Sequence, residues 1–449
     1  MSLAQKPRVR EERPPLHEVE RVGERPSSKG ATFDLARPHP RASRIDLSTA
    51  WRGEGQPERR LCTVLRGLVV AAALLGCART GVSVKTQPPP RIHRAFQHPG
   101  LLTGAAELEA LHRRASGSDR AFEALRGSSF AALDWRPAPR PEISCGPYSR
   151  PDHGCREEKN DATAAYTHAL LWAATGNEAH ARKAIEILDA WSATLREHTG
   201  HNAPLQAAWT AALFTRAAEL VRHTSHLWTP DGVARFSRLL ETAYLPYVVG
   251  GMPTYNGNWE LSMTEATMAI GVFLDDGALF DRAVTMWRKR VPAYFYLSGD
   301  GARPVPPPGT QYEGAALVEK WYGQSRFIDG LCQETCRDLG HTMYGLAAAV
   351  NVAEIAFHQG VDLYAEEAQR LTAALEFHAA YQLGQPAPPW LCGGRLHLSR
   401  SPTGEIAYHH FHDRRGLALP LTARLLEERV RPSGADHHMA WESFTHAVP

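Results

Sequence analysis

The chain has 449 residues, 43% hydrophobic and 22% charged, an ordinary globular balance with room for one large domain or two to three average ones. A net charge of +2 removes the electrostatic case for bulk nucleic-acid binding. Seven cysteines are too few for a disulfide scaffold but enough for one or two bridges.

Residues 1–60 are rich in Arg, Pro, Glu and Ser, lack a sustained apolar period, and read as a disordered extension. Residues 61–77 follow, with Arg59, Arg60 and Arg66 leading into an apolar run from Leu68 to Leu75. The run is too short to span a bilayer and matches an export signal. Leu74-Leu75-Gly76-Cys77 resembles a bacterial lipoprotein box, with Cys77 as the lipidated residue. That predicts an exported protein, secreted, periplasmic or anchored to the outer membrane. It also suggests a true translation start near Leu61 or Val64. Residues 78–99 are polar and Pro-rich and read as a linker.

From residue 100 the pattern is helix upon helix. Apolar spacing predicts helices over Leu101–Ala115, Ala121–Leu133, Asp161–Thr175, Ala179–Leu195, Leu205–His223 and Pro230–Tyr247. It continues over Trp259–Leu274, Ala278–Arg290, Glu334–His358 and Asp362–Leu383. Gly176, Gly277 and Gly360 punctuate the connections. Helical hairpins repeated over 100–449 predict an all-α fold, either a solenoid or an α/α toroid or incomplete barrel of helix pairs. Short strands are expected at Leu391–Leu398 and Ile406–Phe411, with a final helical piece over Leu417–Arg429. Cys145 and Cys155 bracket a loop, CGPYSRPDHGC, and in an exported chain are expected to form a disulfide. The Pro/Gly loop 299–314 is the kind that shapes a cleft rim.

The stretch Leu331–Tyr364 carries the chemistry. Taken as one helix, Leu339, Met343, Leu346, Val350, Ala353 and Phe357 make an apolar stripe. Glu334, Arg337, His341 and Tyr344 then fall within an arc of about 80° on the opposite side. A carboxylate, a guanidinium, an imidazole and a phenol on one face are parts for moving a proton beside a bound anion. A solvated face with an intrahelical Glu334–Arg337 pair is the simpler alternative. A second stretch, Tyr255-Asn256-Gly257-Asn258-Trp259, opens a helix: Asn258 can cap it or bind a carboxylate, and Trp259 can stack on a sugar or pack. In the third, Glu405–Arg414, Tyr408 is another phenol. His409, His410, His412 and Asp413 fit no standard zinc spacing, so no metal is assigned there. Asp436-His437-His438 reads as surface.

Several pieces in order resemble the alginate-lyase-type polysaccharide lyases built on an α/α toroid: CGPYS at Cys145, DATAAYTHALLWAATGN at Asp161, NGNWELSMTEATMAIGVFLDD at Asn256, ETCRDLGHTMYGL at Glu334, GVDLY at Gly360 and GEIAYHHF at Gly404. The resemblance covers 145–449. It implies β-elimination on an acidic polysaccharide, with no metal or organic cofactor. It also implies a catalytic Asn, Arg, His and Tyr, here Asn258, Arg337, His341 and either Tyr344 or Tyr408, with Tyr408 preferred as acid. Asn256, Trp259, Glu334 and His410 become substrate-binding candidates. Some members carry Asn-Asn-His where this chain has Asn256-Gly257-Asn258-Trp259. Whether Asn256 or Asn258 acts, and whether His or Tyr is the base, stays open. The alternatives are a glycoside hydrolase using Asp275, Asp276 and Glu334, or a non-catalytic glycan-binding lipoprotein.

Overall fold

A computed structural model describes residues 87–448. The expected extension, the signal-type segment with Cys77 and the start of the linker lie outside the described residues.

The helices come in hairpins, and local chemistry sets their ends. Helix α1 spans Ala105–Ala115. Helix α2, Cys155–Thr175, stops at Gly176, whose φ of 68° suits glycine, and Asn177 caps α3, Glu178–Thr194, by accepting the Ala179 N–H. Helix α4 is Ala203–Thr224 and α5 is Pro230–Leu239. Helix α6, Gly257–Phe273, turns into α7, Gly277–Tyr294, where Asp276 accepts the N–H groups of Ala278 and Leu279. Helices α8, Leu339–His358, and α9, Ala368–Gln382, follow, with shorter helices between and after these elements.

Burial sorts them into two layers. Every residue of α6 is buried, as are Ala203–Val221 of α4, which a one-faced helix cannot achieve. Helices α2, α4, α6 and α8 pack side by side as an inner wall. Helix α3 instead buries one stripe, Ala181, Ala184, Ile187, Leu188 and Trp191, as an outer helix should. The inner wall closes through α1 and the C-terminal segments: α8 touches Glu405–Tyr408, which touches Glu442–His446, which touches α1, which returns to α2. This is the expected α/α toroid.

The strands are few and short. Strand β1, Glu142–Cys145, lies between antiparallel β2, Asp152–His153, and parallel β3, Glu197–Thr199. Strands β4, Ala435–Asp436, and β5, Met439–Ala440, form a hairpin. Cys145 and Cys155 are joined, tying β1 to the start of α2, and a second disulfide joins Cys336 to Cys392. Cys332 is a buried free thiol.

Several expectations are corrected. Leu331–Tyr364 is not one helix: residues 333–337 form turns, and α8 begins only after Asp338, whose extended backbone and side chain cap it. No strand forms over Leu391–Leu398, and Ile406–Phe411 is helical, because Glu442 caps that segment by accepting the Gly404 and Glu405 N–H groups. The Asp436–His438 run is not surface, since His438 is fully buried and His437 packs on Trp209 at 4.2 Å. The end of the expected linker is hydrogen-bonded to the toroid, with His93 bridging to Asp276 and His98 meeting Glu219 and Asp275.

Candidate active site

The N-terminal ends of all four inner helices carry the candidate groups: Lys159 on α2, Trp209 on α4, Asn258 on α6, His341 and Tyr344 on α8. Helix N-termini are positive, so this end of the toroid favours an anion before any side chain is counted.

Glu334 is the hub. It is fully buried, and its carboxylate accepts the Asn258 amide at 2.8 and 2.6 Å, the Asn258 N–H at 3.2 Å, the Tyr294 hydroxyl at 3.1 Å and Arg337 Nη1 at 2.8 Å. Gln333 accepts the Gly257 N–H at 2.8 Å. A Cβ at position 257 would sit 2.1 Å from the Tyr294 ring, so only glycine lets α6 start this close. Burial disfavours the Arg337 cation, but Glu334 outweighs it and raises its pKa further. Arg337 is therefore a fixed positive charge, held by the turn that Cys336–Cys392 pins. Its Nη2 also donates to the Tyr148 hydroxyl at 3.4 Å.

Asp338 holds the base candidate. One carboxylate oxygen accepts the His341 N–H at 2.8 Å and the other meets His341 Nδ1 at 2.6 Å. Burial alone would raise the Asp338 pKa; the bonds to His341 outweigh it and hold the carboxyl below its usual range. An ionised carboxylate only accepts, so Nδ1 bears the proton and Nε2 of the neutral ring is the acceptor.

Tyr344 stands one turn on, with its ring centroid 5.9 Å from that of His341. Its hydroxyl donates to Asp436 at 3.0 Å, and Asp436 also pairs with His437. Burial first, then the Asp436 charge, push the phenol pKa up, so Tyr344 stays protonated. Lys159 Nζ lies 3.2 Å from His437 Nε2, and burial lowers its pKa.

The rim is aromatic. Exposed Tyr148 sits edge-on to His341, and burial pushes the Tyr322 phenol, beside Glu334 and Arg337, up to about 12. Tyr255, Trp259 and His201 form a second cluster.

The structure thus joins Asn258, Glu334, Arg337, His341 and Tyr344 in one contiguous set, with Asn256 against Gln333 and Tyr322. It does not bring in His410 or Tyr408. His410 stacks on Tyr364 at 3.8 Å and packs on Phe357, which lies sixteen residues, about 24 Å, along α8 from His341. Tyr408 stacks on His412 at 4.6 Å and faces Arg431. Those rings are anchored at the far end of α8 because Arg414 pairs with Glu354 and Glu107 there. Asn258 itself is fully buried; its NH2 is spent on Glu334, and its Oδ1 has no hydrogen-bond partner among the described residues. Asp338, Asp436, His437, Lys159, Tyr148 and Tyr322 were missed by sequence reasoning. Asp338 alone left a signal, an Asp three residues before a His at a helix start.

The alginate lyase family model matches residues 137–304 and 315–388, more than half of the chain. The chain belongs to the alginate lyase family. As such it is a polysaccharide lyase. Comparison with curated proteins finds no match. Among solved structures, the chain is similar to alginate lyase A1-III from Sphingomonas species A1 (17% identity, 76% of this chain and 95% of that one, TM-score 0.51). It is also similar to an alginate lyase from Bacteroides ovatus (16%, 78% and 100%, TM-score 0.51). A histidine-to-alanine variant of A1-III complexed with a tetrasaccharide aligns with TM-score 0.56 at 17% identity, over 78% of this chain and 98% of that one. At these identities the structural likeness speaks for the toroid, and the roles of individual residues in this lyase rest on its own geometry.

Proposed function

We propose that this lyase cleaves a uronic-acid polymer, alginate first, by β-elimination. The C5 hydrogen beside a carboxylate is weakly acidic, so the carboxylate charge must be offset before it can leave. Arg337 and the inner-helix N-termini supply that offset, and Asn258 and Glu334 hold Arg337 in place. His341 Nε2 takes the C5 proton. The Tyr344 hydroxyl turns from Asp436 to the glycosidic O4 and donates its proton as the C4–O4 bond breaks and the C4=C5 bond forms. The observation that carries this reading is the unbroken contact path Arg337–Asp338–His341–Tyr344 on one partly exposed face. Tyr344 replaces Tyr408 as the preferred acid because it shares that face.

A hydrolase would need two carboxylates about 5–10 Å apart across the substrate. Asp275 and Asp276 lie beyond the C-terminal end of α6, about 25 Å from Asn258, which argues against pairing them with Glu334. Polymannuronate, polyguluronate, glucuronan and hyaluronan, each assayed for the ultraviolet absorbance of a C4–C5 unsaturated end, test the proposal. Reducing ends without that absorbance would overturn it. Export is part of the proposal, and the two disulfides support it, since such bonds persist in oxidising compartments.

A further inference from the structure

Far from the candidate active site, three segments converge on a second group of polar side chains. Glu219 and His223 lie four residues apart on the last turns of α4 and so share a face. His98 comes from the segment before α1, and Asp275 from the turn between α6 and α7. Trp209, at the active-site end of α4, is ten residues before Glu219, about 15 Å.

The atoms are arranged in two tiers. His98 Nδ1 lies 2.6 Å from Glu219 Oε1, and Glu219 Oε2 lies 3.6 Å from His223 Nε2. One ligand atom from each of His98, Glu219 and His223 falls within 4.8 Å of the others. The two imidazoles stack with centroids 4.2 Å apart and their planes 8° from parallel. The other nitrogen of His98, Nε2, lies 3.0 Å from Asp275 Oδ1. A carboxylate behind a histidine is the arrangement that fixes the tautomer and basicity of a metal ligand.

A second observation points to a ligand. Glu219 Oε2 and His223 Nε2 are out of solvent contact and have no hydrogen-bond partner among the described residues, although the Glu219 side chain is only 1% exposed. Buried polar atoms are ordinarily satisfied, and leaving a carboxylate oxygen bare is costly. Gly100 N–H donates to Glu219 Oε1 at 3.2 Å, which leaves Oε2 as the open oxygen.

We propose that His98, Glu219 and His223 bind a zinc-class divalent cation, with Asp275 orienting His98 from behind. Two imidazoles and a carboxylate suit Zn2+ better than Mg2+ or Ca2+, which prefer all-oxygen shells. The C-terminal end of α4 adds a favourable negative potential. A bound ion would tie the segment before α1 to α4. This site is independent of the catalytic proposal.

The test uses untagged protein, stripped with chelator and titrated with Zn2+ by calorimetry while its melting temperature is followed. About one equivalent per chain should bind, and the melting temperature should rise. His98→Ala and His223→Ala should each abolish stoichiometric uptake, and Asp275→Asn should weaken it by about tenfold or more. Should the variants fail to fold, zinc-edge X-ray absorption of the loaded wild type still decides. A nitrogen/oxygen shell with two imidazoles supports the site, and a sulfur-containing shell, through a cysteine thiol, overturns it. No uptake by the wild type would also overturn it, making the cluster an imidazolium between two carboxylates. Undiminished uptake by His223→Ala would place the ion elsewhere.

Discussion

Replacing Asp338 by Asn separates two jobs that one carboxylate does. The first is structural: an oxygen caps α8 through the His341 N–H at 2.8 Å. Asparagine caps about as well as aspartate, so this job survives and the melting temperature should shift by no more than about 2 °C. The second is chemical: the other oxygen faces His341 Nδ1 at 2.6 Å. A hydrogen bond to a charged group is worth about 1.5–3 kcal/mol, or roughly 10- to 150-fold if it acts fully on the transition state. An amide NH2 opposite Nδ1 also favours the tautomer with its proton on Nε2, which cannot accept a hydrogen from carbon. General-base catalysis contributes about 100- to 10,000-fold, and most of it should vanish, so kcat should fall within that range while KM stays near its wild-type value. The assay is the initial rate of unsaturated-product absorbance from pH 5 to 9, alongside thermal unfolding. A variant with kcat within about threefold of wild type and an unchanged pH profile would remove His341 from the role of base.

Tyr344→Phe should abolish turnover, whereas Tyr408→Phe should stay within about twofold of wild type by the same assay, because only Tyr344 shares a face with His341. The reverse pattern would restore the sequence-based preference. Cys336 and Cys392 are 56 residues apart, and the chain-entropy estimate for such a loop is about 4 kcal/mol. Replacing both by Ser should lower the urea midpoint and, by loosening the turn that carries Arg337, raise KM; an unchanged midpoint contradicts this. Glu442 accepts two backbone N–H groups, yet burial pushes its pKa to about 7. The folded protein then keeps a proton that the unfolded chain loses near 4.5, so its stability contribution falls as pH rises from about 4.5 to about 7. Glu442→Gln should therefore gain melting temperature relative to wild type between pH 5 and pH 8, and a constant difference would refute the shift.

What sequence could show here was periodicity. Inner helices such as α6 are buried on every side, polar residues included, and outer ones such as α3 carry one apolar stripe; both announced themselves as helices, and their pairing into hairpins pointed to a solenoid or a toroid. The face shared by His341 and Tyr344 was legible for the same reason, since both lie on α8. Glu334 and Arg337 reached the same place by a different route. They sit in turns ahead of Asp338, and what gathers them is the buried Asn258 amide and a disulfide to residue 392, neither of which leaves a periodic trace. Asp436 and His437 were unreadable because their position depends on a two-strand hairpin near the chain's end returning to α4 and α8.

The misplacement of Tyr408 has a physical lesson. A phenol beside three histidines looks chemical in one dimension. In the fold, Arg414 anchors that segment to Glu354 and Glu107 at the end of α8 opposite the active site. An inner helix about 30 Å long has two functional addresses, and its direction decides which one a neighbour shares. The N-terminal addresses of α2, α4, α6 and α8 coincide, which concentrates four positive helix ends on one anionic substrate. The C-terminal address of α4 holds the opposite potential, and there the chain has gathered carboxylates and imidazoles suited to a cation. One wall of parallel dipoles can thus account for both an anion at one face and a metal at the other.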